Sequence, residues 1–161
     1  MIETGGVLET IEDDRGAVTI GWLQRKVLYA RFEGELSVEL GVAHLTRMRE
    51  LLGSVSALRY FSDASKLSAY DLLARSDFVR FILVHKHRFV QYVTLTWGDS
   101  QSASSTAFAS AIGEPIEILT DRQLFEQKLF RVAPHGPKKL QDNVRVRTFR
   151  EVLGDSDRQR L

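Results

Sequence analysis

The sequence predicts a single α/β domain on a mixed, mostly parallel sheet of about five strands. Three observations carry this. Short β-rich runs, "AVTIGWL", "KVLYARFEG", "ALRYFS", "FVQYVTLTW" and "IEIL", recur along the chain. From Gly34 onward they alternate with stretches of helical character, giving the order strand, strand, helix, then three strand-helix units. Such alternation implies right-handed crossovers onto a parallel sheet begun by an antiparallel hairpin. A chain of 161 residues, 43% of them hydrophobic, suits one domain with one ordinary core.

The elements follow in order. "AVTIGWL" and "KVLYARFEG" meet at Gln24-Arg25, which reads as a hairpin. A weaker strand, "GVLETIE", precedes them, with "DDRG" as its turn. A helix is expected from Ser37 to Leu52. Ser37 serves as N-cap, Glu39 suits the positive end of the helix, Gly53 suits the stop, and Leu45, Met48 and Leu52 recur at helical spacing. After "ALRYFS" comes a Ser-rich turn, and Asp71 opens a helix reaching about His87, strongly apolar from Phe78 to Val84. "FVQYVTLTW" is a strand, and "DSQSASSTAFASAIG" reads as a helix with a small-residue face that stops at Gly113. "IEIL" is a short strand. Thr120 to Gln123 has capping-box spacing and begins a last helix carrying Leu124, Phe125 and Leu129.

Charge is uneven along the chain. Residues 1 to 14 hold five acids and no Lys or Arg, whereas residues 134 to 161 hold seven Lys or Arg against four Asp or Glu. "APHGPKK" is a breaker cluster that ends the core near Ala133. The expected organisation is an acidic N-terminal extension over 1–16, the folded domain over 17–133 and a basic tail over 134–161. Within the tail, Val144 and Val146 alternate with Arg145 and Arg147, the pattern of a strand or arm for a partner, or of a tail dispensable for folding. The net charge of +1 argues against a dedicated nucleic-acid binder, and no aromatic-interleaved RNA motif is present. The absence of Cys excludes disulfides and thiolate metal sites and fits a reducing compartment. The N-terminus reads as neither a signal nor a transit peptide, no run approaches transmembrane length, and the expected location is the cytoplasm.

The element order, with Asp-x-Ser closing the third core strand, resembles the STAS domains, the sulfate-transporter and anti-sigma-factor-antagonist modules. It looks closest to their SpoIIAA-like branch, which shares its architecture with CRAL-TRIO lipid-binding domains. The likeness covers Ala17 to Leu129, and "SDASKLSAYDLLA" matches with Asp63, Ser65 and Asp71 in register. The family's Asp-Ser-Ser-Gly motif falls on Asp71-Leu72-Leu73-Ala74. The serine that family kinases phosphorylate is therefore Leu73, which has no hydroxyl, so the usual phospho-switch is not expected here. The resemblance implies a bacterial regulatory module that binds another protein through the surface from Asp63 to Arg75.

Other readings stand beside this one. Asp63 at a strand end is either a carboxylate for chemistry or the acceptor of its own turn, "DAS". Asp71 reads as a helix cap. Ser65 and Ser68 are candidate phosphate acceptors, and Arg75 completes the candidate partner-binding set. His85 and His87, in "HKHR", lie two apart and do not share a helix face, so they read as a cationic helix end rather than a chelate. "GDSQS" lacks the Lys and spacing of a phosphate loop. No complete catalytic set, metal site or cofactor motif is present, which argues against an enzyme; a hydrolase using Asp63 and Asp71 is the third-ranked reading. Phe78, Phe81 and Ile82 mark one helix face, and Phe108 and Ile112 join them as the candidate lining of an apolar ligand cavity or the seam of a homodimer. The expectation is thus a non-enzymatic protein-binding module without metal or cofactor. The alternative is a module for a lipid or small apolar ligand.

Overall fold

The computed structural model describes residues 8–96, 107–137, 145–148 and 151–154. Seven strands form one sheet: β1 (Glu9–Glu12), β2 (Gly16–Gln24), β3 (Val27–Leu36), β4 (Leu58–Tyr70), β5 (Phe89–Leu95), β6 (Ile116–Leu119) and β7 (Arg145–Thr148). Their order across the sheet is β6-β5-β4-β3-β2-β1-β7. The pairs β1–β2 and β2–β3 are antiparallel, and β3–β4, β4–β5, β5–β6 and β1–β7 are parallel. The expected mixed, mostly parallel sheet is therefore present, with two strands more than the five anticipated.

Among the described residues the helices that cover it are α1 (Val38–Leu52), α2 (Leu72–His85), α3 (residues 107–112) and α4 (Arg122–Val132), with a further helical turn at 151–154 and a 3-10 turn at Lys86–Arg88. Strands β3 to β6 lie side by side in chain order, with α1, α2 and α3 as successive crossovers. Connections of one hand put their helices on one face. Residues of α1, α2 and α3 accordingly share a core with Val18, Ile20, Leu28, Phe32, Tyr60 and Tyr92. The opposite face is covered by α4, whose Phe125 and Leu129 pack with Tyr29, Phe61, Val93 and Leu95. Phe61 and Tyr60, adjacent in β4, thus point into different cores, as the two-residue period of a strand requires.

Local chemistry places the helix ends. The Ser37 hydroxyl accepts the N–H of Leu40 at 3.0 Å and donates to the Asp13 carboxylate at 2.6 Å. Asp13 also accepts the N–H groups of Arg15 and Gly16. Burial works to raise the Asp13 pKa, but these hydrogen bonds and the Arg15 charge outweigh it and hold the group below its ordinary value. Asp121, rather than the expected Thr120, caps α4 by accepting the N–H groups of Gln123 and Leu124. A carboxylate one residue later reaches the same orphan donors. The first hairpin turns at Arg25-Lys26, one residue beyond the expected point, with Lys26 at φ 63°. Helices α1 and α2 approach closely where Gly41 faces Ala74: a Cβ on Gly41 would lie 3.0 Å from the Ala74 Cβ.

The expected boundaries at 16/17 and 133/134 do not mark the edges of the fold. Leu8 and Ile11 are core residues, and buried Glu9 pairs with Arg47 of α1 at 2.6 Å. β7 pairs with β1, and Val152 is buried in the main core. β1 lies between β2 and β7, and β7 is an edge strand whose partner is distant in sequence, so the local pattern does not show that either segment belongs to the domain.

Candidate functional site

β4 does not turn at Asp63. It continues to Tyr70, because the long β3 offers partners out to Leu36, and Lys66, Leu67, Ala69 and Tyr70 pair with Glu33, Gly34, Glu35 and Leu36. The expected Ser-rich turn is thus an irregular strand, and strand alternation splits the candidate surface in two.

Asp63 and Ser65 belong to the α4 side. Asp63 is buried; its Oδ1 accepts the Ser65 N–H at 3.0 Å and the Ser65 hydroxyl at 2.6 Å. Its Oδ2 accepts two N–H groups of the Arg122 guanidinium at 3.2 and 3.3 Å, and Arg122 also donates to the Ser65 Oγ at 2.6 Å. Nearby Tyr29 is pushed up to about 12 by burial and then by the Asp63 charge. A carboxylate with both oxygens engaged locks β4 to the first turn of α4. Arg122, 59 residues from Asp63 in the chain, is a partner that sequence spacing gave no means of finding.

Asp71 and Arg75 belong to the α2 side. Asp71 caps α2, accepting the Leu73 N–H at 2.8 Å, and its own N–H donates to the Leu36 carbonyl. The Arg75 guanidinium sits over the Tyr70 ring, 5.5 Å from its centroid. Leu72 and Leu73 are 75% and 66% exposed, while Ala74 turns inward. Ser68 is exposed on the β4 extension, and Ser76 on α2. Asp63 and Asp71, the pair considered for hydrolysis, therefore sit on different faces of the sheet.

Between α1, α2, α3 and the sheet lies a cavity of about 120 Å³ with an open mouth. Phe32, Leu36, Leu45, Leu67, Phe78 and Phe108 supply much of its carbon lining, and the Phe78 and Phe108 rings stack with centroids 6.0 Å apart and planes 17° from parallel. His44, Ser62 and Thr94 add polar groups, and Arg75 is the one side chain of fixed charge among the lining residues. Burial pushes the His44 imidazole down to about 3, so it is neutral near pH 7. Its ring meets Phe32 edge-on at 5.0 Å, and its Nε2 is buried without a hydrogen-bond partner among the described residues. Its place beside the cavity follows from the fold alone.

The expected apolar set divides. Phe78 and Phe108 line the cavity, whereas Phe81, Ile82 and Ile112 are buried in the chain's own core and are not available as an exposed seam. Besides Leu72 and Leu73 at its start, the exposed large apolar side chains of that helix are Leu83 and Val84. At its end, His85 is held below its ordinary value by partial burial and then by the charges of Arg88, Arg49 and His87. Lys86 and Arg88, just beyond α2, hydrogen-bond the ends of other helices: Lys86 donates to the Ile112 carbonyl at the end of α3 at 2.6 Å, and Arg88 to the carbonyls of Leu52 and Val55 at the end of α1. "GDSQS" lies outside the described residues. Among the described residues no helix is long and apolar enough to cross a membrane.

No family model matches the chain, and no curated protein matches it in sequence. A solved structure matches it in fold: an uncharacterised protein of the DUF3478 family, with a SpoIIAA-like fold, from Shewanella loihica PV-4. It is 15% identical, superposes with a TM-score of 0.57, and the match covers 74% of this chain and 98% of that one. A likeness at this identity shows the fold, and the chain has the SpoIIAA-like fold.

Proposed function

We propose that the chain is a non-enzymatic regulatory or scaffold module that binds another protein through the start of α2. The observation that carries this is the pair Leu72 and Leu73, adjacent and largely exposed on a helix turn whose backbone is fixed by the Asp71 cap. Burying each leucine against a partner is worth about 1.5–3 kcal/mol. The pair stands where the STAS resemblance places a serine switch, and without hydroxyls its docking is constitutive with respect to phosphorylation there. The partner supplies an apolar pocket. The saturated Asp63 further favours binding over catalysis, since a carboxylate already holding Ser65 and Arg122 is poorly placed to take a substrate proton. The test is to identify by mass spectrometry the proteins retained by the wild-type chain but not by Leu72→Glu or Leu73→Glu, and then to measure affinity with the purified partner.

A second reading, a module for a small apolar ligand, is favoured by the open cavity and its largely apolar lining. The two readings are compatible, because α2 carries the leucines on its outer side and Ala74, Arg75 and Phe78 on the cavity side.

A further inference from the structure

The four exposed large apolar side chains of α2 stand two at each end, Leu72 and Leu73 at its start and Leu83 and Val84 near its finish. They are half of the eight such side chains exposed among the described residues. One stripe of the helix runs Leu73, Asp77, Arg80, Val84, at the i, i+4, i+7, i+11 spacing that keeps side chains on one face. Its neighbour runs Leu72, Ser76, Val79, Leu83 at the same spacing. Steps of four, three and four read the same from either end. Reversed, the first stripe keeps its apolar ends and exchanges acid for base. A second α2 laid antiparallel on the first therefore sets Leu73 against Val84, Asp77 against Arg80 and Leu72 against Leu83, twice over, about a two-fold axis near Phe78. An isologous contact demands a surface that is its own complement in this way.

The charges and the relief of this face suit the same arrangement. Within one copy Arg80 and Asp77 lie 3.8 Å apart, with side chains 76% and 45% exposed. An exposed pair of this kind contributes little. Across the axis the same groups exchange one pair within each copy for two pairs between copies. Beside α2 lies an open groove of about 370 Å³, with Val42, Leu45 and Arg49 on its α1 wall and Asp77, Arg80 and Val84 on its α2 wall. The Leu73 side chain of the second copy, arriving at Val84, enters this groove.

We propose that α2 packs antiparallel on α2 of a second copy of this chain, forming a two-fold symmetric homodimer whose register is set by Asp77–Arg80 pairs. The contact is one helix per copy, at the small end of specific interfaces, so the dimer is weak and dissociates at low concentration. This goes beyond the docking reading. The dimer covers Leu72 and Leu73, so a second copy and another protein exclude each other at the start of α2.

The experiment is sedimentation equilibrium of the full chain from about 1 µM to about 1 mM, a range that spans weak association. Wild type should pass from monomer to dimer across it. Asp77→Arg and Arg80→Asp each set like charges against one another across the axis, and each alone should weaken the dimer at least about tenfold. Mixed one to one, the two variants should form a heterodimer, because each then faces opposite charges; a folding defect gives no such recovery. Val84→Glu, at an exposed position, should also weaken the dimer, and it keeps the test decisive if a charge variant fails to fold. Wild type that stays monomeric throughout the range would overturn the proposal. A dimer of unchanged affinity in Val84→Glu, or a mixture of the charge variants that does not recover association, would put the contact elsewhere and overturn it too. Failure of the dimer leaves the docking reading intact, since that reading is tested by affinity for another protein.

Discussion

The Leu73 backbone N–H donates to the Asp71 carboxylate at 2.8 Å, while the Leu73 side chain stands 66% exposed beyond it. Cap and exposed apolar group are thus adjacent but separable. Asp71→Ala should lower stability by about 1 kcal/mol through loss of the cap. Leu73→Glu should stay within about 0.5 kcal/mol of wild type, as surface changes do. Urea unfolding of both variants checks this. A large loss in Leu73→Glu would mean that the leucine packs on its own chain.

Phe81 is core: it is buried, its ring centroid is 4.5 Å from that of His85, and the Arg49 guanidinium lies over it. Removing such a ring from a core costs about 3–5 kcal/mol, and a buried carboxylate in its place adds to the loss. Phe81→Glu should therefore fail to show a cooperative thermal transition at wild-type conditions. A folded, soluble variant would put Phe81 on the surface.

A chain ending at Ala133 loses β7 and the buried Val152. Burying a valine alone is worth about 1.5–3 kcal/mol. For a chain of this size each kcal/mol shifts the melting temperature by about 2–4 °C. Differential scanning calorimetry should show a fall of at least about 4 °C on truncation. An unchanged melt would show that β7 and Val152 contribute nothing.

The ordinary His44 pKa of 6.5 falls to about 3 in the folded chain through burial. Above pH 6.5 this group is neutral folded or unfolded, and its effect on stability is flat. Below 6.5 the unfolded imidazole takes a proton that the folded one does not, so stability falls as pH falls toward 3. The slope is at most about 1.4 kcal/mol per pH unit, giving about 2 kcal/mol between pH 7.5 and pH 5. Urea unfolding of wild type and His44→Leu at both pH values isolates this, since the carboxylates are common to both. Parallel pH profiles would contradict a buried neutral His44.

What was legible in the sequence was local. Ser37 and Asp71 precede apolar helical runs by the distance a cap needs, and both cap. The alternation of elements sufficed for the parallel sheet. What was hidden depended on pairs distant in the chain. The continuation of β4 past Asp63 follows from the length of β3, and Arg145–Thr148 forms a strand by pairing with β1. The Asp63–Arg122 lock and the placement of His44 beside Phe32 and Phe78 are likewise tertiary. A histidine surrounded by ordinary helix residues gives no local sign of being buried against a cavity.

Docking through the start of α2 is tested most directly by affinity. The wild-type chain, Leu73→Glu and, as a control at another exposed apolar position, Val90→Glu should be titrated by isothermal calorimetry with the purified partner identified by differential retention. The expected result is a loss of at least about tenfold for Leu73→Glu, the equivalent of about 1.4 kcal/mol, with Val90→Glu unchanged. Equal affinity of folded Leu73→Glu and wild type would contradict the account and leave the leucine pair as bare surface.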